Sequence, residues 1–206
     1  MASPSPAENA WRQWLVGLLS WAALVGLAVA GRLWQPVVGG EPLWNVTPMA
    51  AVALAAGTLF PRVAVAASVP LAALWISNLF SPGYGNLPIA TVVFLATAWP
   101  VLLGGILRRS AVVQTGFLRT MPRLPMLVGG ALASSLVFFL TTNLAHWMFT
   151  TDYPHTAAGL AACFTAALPF YRWMPAGDIA WTLAVFVGLT AVARATAPTL
   201  TTAKTA

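Results

Sequence analysis

The chain has 206 residues, of which 59% are hydrophobic and only 7% charged, and its mean hydropathy is +0.81. A soluble domain carries about 25% charged residues, so this chain lacks the polar surface to face water and reads as an all-α integral membrane protein. Its net charge of +6 does not point to nucleic acid: Arg62, Arg108, Arg109, Arg119 and Arg123 stand at the ends of apolar runs, where positive-inside topology puts them and membrane lipid headgroups are their partners.

Residues 1–10, MASPSPAENA, are polar and Pro-rich, and are predicted to be a disordered tail. An apolar run from Trp14 to Ala30 follows Arg12. With Ala28-Val29-Ala30 before Gly31 it could be a signal peptide ending in a small-residue cleavage site. The run is longer than a usual signal core, however, and Ala22, Gly26 and Ala30 form a small-xxx-small row suited to helix packing. It is taken as a retained first transmembrane helix at 11–31.

Further spans are expected at 46–60, 63–80, 87–107, 124–149 and 177–197, within a single transmembrane domain at 11–197 followed by a C-terminal tail at 198–206. The apolar stretch 156–171 is short for a span and reads as a re-entrant or surface helix. That gives a bundle of about six transmembrane helices, or seven if 156–171 crosses. The loop from Arg108 to Arg123 holds four arginines and no acid, which makes it cytoplasmic. Arg12, Arg62 and the N-terminus then also lie inside, in a bacterial inner membrane. The loop at 31–45, the turn SPGYGN at 81–86 and the segment around Asp152 face outside.

Pro70 and Pro100 fall inside predicted helices, where each removes an amide hydrogen bond. The vacancy must be filled by neighbours in lipid, and a kinked bundle can hold a cavity. Small residues recur at four-residue spacing in Ala51/Ala55, Ala53/Gly57, Gly130/Ser134 and Ala158/Ala162/Ala166, so other backbones can approach closely. Most of these rows serve packing within the bundle, and one, on the first helix, could receive a partner protein. Cys163 is the single cysteine and reads as a buried, inert thiol.

Polar residues gather toward the outer side. Thr47 before Pro48 fits an N-cap with proline at the first helical position. About 15 residues from there span roughly 22 Å, short of a 30 Å hydrocarbon core. The helix start would then sit below the surface, under a loop carrying Trp34, Glu41, Trp44 and Asn45, with its free amides toward a cavity. Asp178 in MPAGD opens the last helix in the same way, with Gly177 for a tight entry. It is either a cap or an acid with a function at membrane depth. Asn78, with Ser77 and Tyr84, could supply hydrogen bonds to a ligand, or could simply end its helix.

Phe139 to His155, FLTTNLAHWMFTTDYPH, concentrates polar groups in an apolar chain. Asn143, His146, Trp147 and Thr150 share a helical face, which in lipid must turn inward. TDYPH is an external corner. His146, Asp152 and His155 do not have metal-ligand spacing, no nucleophile–base pairing is visible, and no Gly-Lys-Thr phosphate loop occurs. An enzyme is not expected, nor is a cofactor or a metal.

Several stretches carry a resemblance. NVTPMAAVALAAGTLF (45–60), VPLAALWISNLF (69–80), TNLAHWMFTTDYPHTAAGLAACFTAALPF (142–170) and GDIAWTLAVFVG (177–188) resemble an uncharacterised bacterial multi-pass membrane protein family (DUF6580-like). The family pattern is Asn-x-x-Pro opening a helix, Ser-Asp ending the next, Tyr-Pro-x-x-x-x-Gly-Leu, Ala-x-Pro-Phe and a late Gly-Asp. Asn78 stands where that pattern usually has aspartate. More distantly, the family resembles the substrate-binding S components of energy-coupling-factor (ECF) vitamin transporters. The resemblance implies six helices, cytoplasmic termini, a vitamin or metal ion bound near the outer face under a capping loop, and docking onto a transmembrane coupling subunit with ATPases.

The function expected is a substrate-binding membrane subunit for uptake of a small solute, with a pocket near the outer face lined by Trp44, Asn45, Asn78, Asn143, Trp147, Asp152 and Asp178. The competing class is a non-transport membrane assembly or lipid-interacting protein, whose polar residues would satisfy one another in a closed bundle.

Overall fold

Each long apolar run folds as a helix, because only there does the backbone satisfy its own hydrogen bonds without water. The computed structural model describes residues 6–43, 45–81, 83–110 and 122–196. Its helices are α1 (Pro6–Leu33), α2 (Met49–Leu59), α3 (Val63–Asn78), α4 (Leu87–Ala98), α5 (Pro100–Ser110), α6 (Leu124–Phe149), α7 (Ala157–Tyr171) and α8 (Met174–Thr196). Among the described residues, four stretches are long and apolar enough to cross a membrane: Ala10–Leu33, Leu87–Arg109 (α4 with α5), Leu124–Phe149 and Met174–Ala195. This is a helical membrane protein. Trp44, Arg119 and Lys204 lie outside the described residues.

Between α1 and α2 the chain makes a small antiparallel hairpin, β1 (Val37–Val38) with β2 (Glu41–Pro42), in the register Val37↔Pro42 and Val38↔Glu41. Gly39 and Gly40 form its turn at φ 63° and 84°. Two successive positive φ values define the two-residue turn that fits the twist of a hairpin, and glycine adopts them without a Cβ penalty.

α2 is the centre of the bundle. Ala51 through Thr58 are all buried, and α2 packs on α1, α3, α4, α5, α6 and α8. A helix apolar on every side has no face for water, and this one is built mostly of alanine and glycine, so its neighbours come close. Against α5 the approach is backbone to backbone: a Cβ on Gly57 would strike the Val101 carbonyl oxygen, and one on Gly104 the Leu54 carbonyl oxygen. Thr58 Oγ1 donates to Leu54 O of its own helix at 2.9 Å. Its hydroxyl proton is thereby satisfied inside the apolar core.

α7 and α8 follow α6 as one broken, antiparallel arm. Trp147 Nε1 donates to Pro154 O at 3.0 Å, Cys163 Sγ meets Asn143 O at 3.6 Å, Tyr171 stacks on Phe139 with centroids 4.3 Å apart, and Ser135 Oγ donates to Asp178 Oδ2 at 2.7 Å. These contacts step down α6 from its end to its middle. α7 and α8 have few contacts side by side, so the break at Arg172–Trp173 joins them nearly end to end. Ser135 lies about 17 Å from the start of α6 at 1.5 Å per residue, which puts Asp178 near the mid-depth of a membrane-crossing helix.

Other boundaries differ from expectation for local reasons. α1 begins at Pro6, inside the stretch assigned to the tail, since a proline at the first helical position loses no intrahelical bond. The expected span at 87–107 is interrupted at Trp99, where Pro100 offers no amide to the Ala96 carbonyl. Pro70, by contrast, sits inside an unbroken α3. α2, α3 and α7 are shorter than the four long stretches, and at 11 residues α2 rises only about 17 Å. The rows Ala51/Ala55, Ala53/Gly57 and Gly130/Ser134 are buried, whereas Ala22/Gly26/Ala30 and Ala158/Ala162/Ala166 are exposed on the bundle surface.

Candidate functional site

The C-terminal turn of α1 ends its apolar run with a basic residue, Arg32. Its guanidinium is half-buried and held by the end of α3 and the loop beyond it. Nη1 donates to Ser77 Oγ at 2.6 Å and Asn78 Oδ1 at 2.7 Å, and Nη2 to Tyr84 OH at 3.4 Å. Ser77 is free to accept because its own proton goes to Ala73 O at 2.8 Å. All three acceptors are neutral, and Arg32 makes no ion pair among the described residues. An aspartate at position 78 would set a carboxylate against this guanidinium. Asparagine keeps the hydrogen bond and leaves the charge uncompensated.

Asp178 lies in the first turns of α8 and is 2% exposed. A carboxylate at that depth is expensive unless its oxygens find donors. Ser135 supplies one, at Oδ2, and no donor reaches Oδ1 among the described residues. The expectation that Asp178 caps the last helix is corrected. α8 begins three residues before Gly177, at Met174, and Asp178 therefore stands inside the helix. Gly177 serves close packing instead, since a Cβ there would lie 2.9 Å from Val46 Cγ1.

Arg32 and Asp178 line one cavity of about 320 Å³. That is at the lower end of the volumes that hold small organic ligands. Its walls come from the ends of α1 and α2, the break between α4 and α5, the middle of α6 and the start of α8. Leu74, Val93, Pro100, Phe138 and Met174 make the apolar part, and Asn45, Thr47, Tyr84, Thr97 and Thr142 add neutral polar groups. Gln35, three residues beyond Arg32, also lines it, and its buried amide oxygen Oε1 has no partner among the described residues. Thr47 was expected to cap α2, but Pro48 occupies the cap position with no side-chain cap. The chain is already near-helical at Pro48, which leaves Thr47 to line the cavity.

The residues expected to share a site fall into three places. Asn45, left-handed at φ 65°, and Asp178 line the cavity. Asn78 stands behind it, bound to Arg32. Asn143, Trp147 and Asp152 are not among the cavity-lining residues. Asn143 Nδ2 donates to Phe139 O of its own helix at 2.7 Å. Trp147 and its neighbours latch the corner before α7 onto the end of α6: His146 Nε2 is 3.0 Å from Asp152 Oδ2 with side chains 40% and 61% exposed, and His155 packs edge-on against Trp147 at 5.4 Å. The cavity face of α6 is instead Ser134, Phe138 and Thr142. That row is one residue, about 100°, around the helix from the expected one.

Arg32, Gln35 and Ser135 were missed. The signal for Arg32 was available: positive-inside placement puts arginines at the cytoplasmic ends of helices, and in the expected topology Arg32 falls at the opposite end of the first one. Gln35 and Ser135 carried no comparable mark. No group of three His, Cys, Asp or Glu side chains converges on a metal-sized site among the described residues.

No curated protein and no solved structure matches the chain. Residues 12–200 match a family described as a family of unknown function, DUF6580. With nearly the whole chain covered, Asn78 and Asp178 included, this membrane protein belongs to that family.

Proposed function

We propose that the protein is a substrate-binding membrane subunit for uptake of a small solute. The observation that carries this reading is the cavity of about 320 Å³, into which an arginine and a deeply buried aspartate both open without pairing with each other. Cavities that bind small molecules combine apolar walls with a few placed polar groups, and ionisable residues at membrane depth mark solute pathways by default. Asp178 also stands just after a helix break, the kind of discontinuity at which transporters build their sites.

In this reading the bundle has six spans: α1, α2, α3, α4 with α5, α6, and α7 with α8 as one broken span. The N-terminus is cytoplasmic in the inner membrane, and the hairpin between α1 and α2 caps the cavity from outside. Lipids surround the bundle, and the exposed row Ala22, Gly26 and Ala30 offers a close approach to a transmembrane coupling subunit with ATPases. The ECF S-component likeness rests on the sequence pattern alone.

The test is native mass spectrometry of the protein purified in mild detergent, with small molecules released and identified. A bound solute lost on Phe138→Trp, which fills the cavity, supports the reading. No solute, together with stable retention of a protein complex, overturns it in favour of a membrane assembly factor. Topology is checked in a Cys163→Ala background: a cysteine at Gly40 should react with an impermeant maleimide in intact cells, and one at Arg123 should not.

A further inference from the structure

Arg32 and Asp178 belong to different walls of the cavity. The guanidinium is fixed by Ser77, Asn78 and Tyr84 at the end of α3, and the carboxylate by Ser135 at the middle of α6. Had they been meant for each other, an ion pair within the cavity would be expected. None exists within 4.0 Å. Among the described residues each charge therefore has neutral hydrogen-bond partners only, and each keeps unused capacity: no donor reaches Asp178 Oδ1, and the three hydrogen bonds of Arg32 leave two of its five N–H groups unused.

From this arrangement we infer that the cavity selects a small zwitterion, a molecule carrying a carboxylate for Arg32 and a protonated amine for Asp178, of the amino-acid class. This deepens the function proposed above and rests on it. The discrimination comes from what is left unpaired. A ligand with both charges satisfies both walls. A singly charged analogue of the same shape leaves either the buried carboxylate or the half-buried guanidinium without an opposite charge, and a charge left uncompensated away from water costs more than the missing contact is worth. A neutral analogue leaves two. Specificity of this kind rejects ligands by the groups they fail to cover, and the volume of about 320 Å³ limits the ligand to a small one.

The full chain, purified and placed in lipid nanodiscs, is tested by thermal stabilisation and by equilibrium dialysis. The probes are the standard amino acids and ε-aminocaproate, their single-charge counterparts caproate, isocaproate and isoamylamine, and glycerophosphoethanolamine. At least one amino acid should bind, with its deaminated or decarboxylated counterpart about thirtyfold weaker or worse. Asp178→Asn, which keeps the shape and a partner for Ser135, should lose the amino acid and bind the plain carboxylate better than wild type does. Arg32→Gln should do the reverse, favouring the amine. A variant that merely misfolds cannot switch preference in this way. Equal binding of an amino acid and a singly charged counterpart overturns the inference, as does binding of singly charged probes alone. Binding of glycerophosphoethanolamine but of no amino acid assigns the two charges to a lipid headgroup and overturns the free-solute source. If mass spectrometry identifies a neutral or singly charged solute, this inference falls and the proposed function stands. If no solute is found and no probe binds, both fall.

Discussion

Gly57→Ala tests the packing on which the cavity depends. Two effects oppose each other. Alanine in place of glycine inside a helix gains about 1 kcal/mol of propensity. Against this, the new methyl would meet the Val101 carbonyl oxygen within contact distance, with Val101 C at 2.9 Å and Gly104 Cα at 3.0 Å. These neighbours are backbone atoms of α5 and cannot rotate away. Ordinary carbon contacts lie at about 3.5–4.0 Å and the carbonyl oxygen is closer still, so the helices must part by at least about 0.5–1 Å, and a gap of that size forfeits a quarter to a half of each dispersion well. With about forty atom pairs across the interface at ~0.15 kcal/mol each, the loss is about 1.5–3 kcal/mol. Gly129→Ala in α6 is the matched control, because a Cβ there meets nothing within 4 Å and the variant keeps only the propensity gain. Unfolding in mild detergent titrated with sodium dodecyl sulfate should place Gly57→Ala below Gly129→Ala by about 1.5–3 kcal/mol. Equal midpoints for the two would refute the claim of backbone contact between α2 and α5.

Two further outcomes follow from the hydrogen bonds. Ser135→Ala leaves the buried Asp178 without its donor and should cost about 1.5–3 kcal/mol in the same assay, the scale for bonds to charged groups. In an Asp178→Asn background the loss should be smaller, as a double-mutant cycle measures. Asp152→Asn breaks an ion pair whose side chains are 40% and 61% exposed. It should change stability by no more than about 1 kcal/mol and leave probe binding at wild-type strength, and a loss of binding would return the corner before α7 to the site.

Composition and hydropathy were enough to specify a helical membrane protein, because 7% charged residues cannot clothe a soluble surface and lipid leaves the backbone little choice but helix. The apolar runs also marked the helices to within a few residues, with Leu124–Phe149 matching its expected bounds. Chain order alone could not say which way each helix turns. An error of one position moves a side chain by about 100°, and that separated the expected face at Asn143 and Trp147 from the observed cavity face at Phe138 and Thr142. Nor could it bring together residues far apart in sequence. Arg32 with Asn78, and Ser135 with Asp178, meet only because α2 draws the helices around its small side chains and the broken arm of α7 and α8 lies along α6. Residue types and spacing thus determined the solvent and the secondary structure. The packing of helices against one another decided which polar groups are paired in the body of the bundle and which two charges face a common cavity.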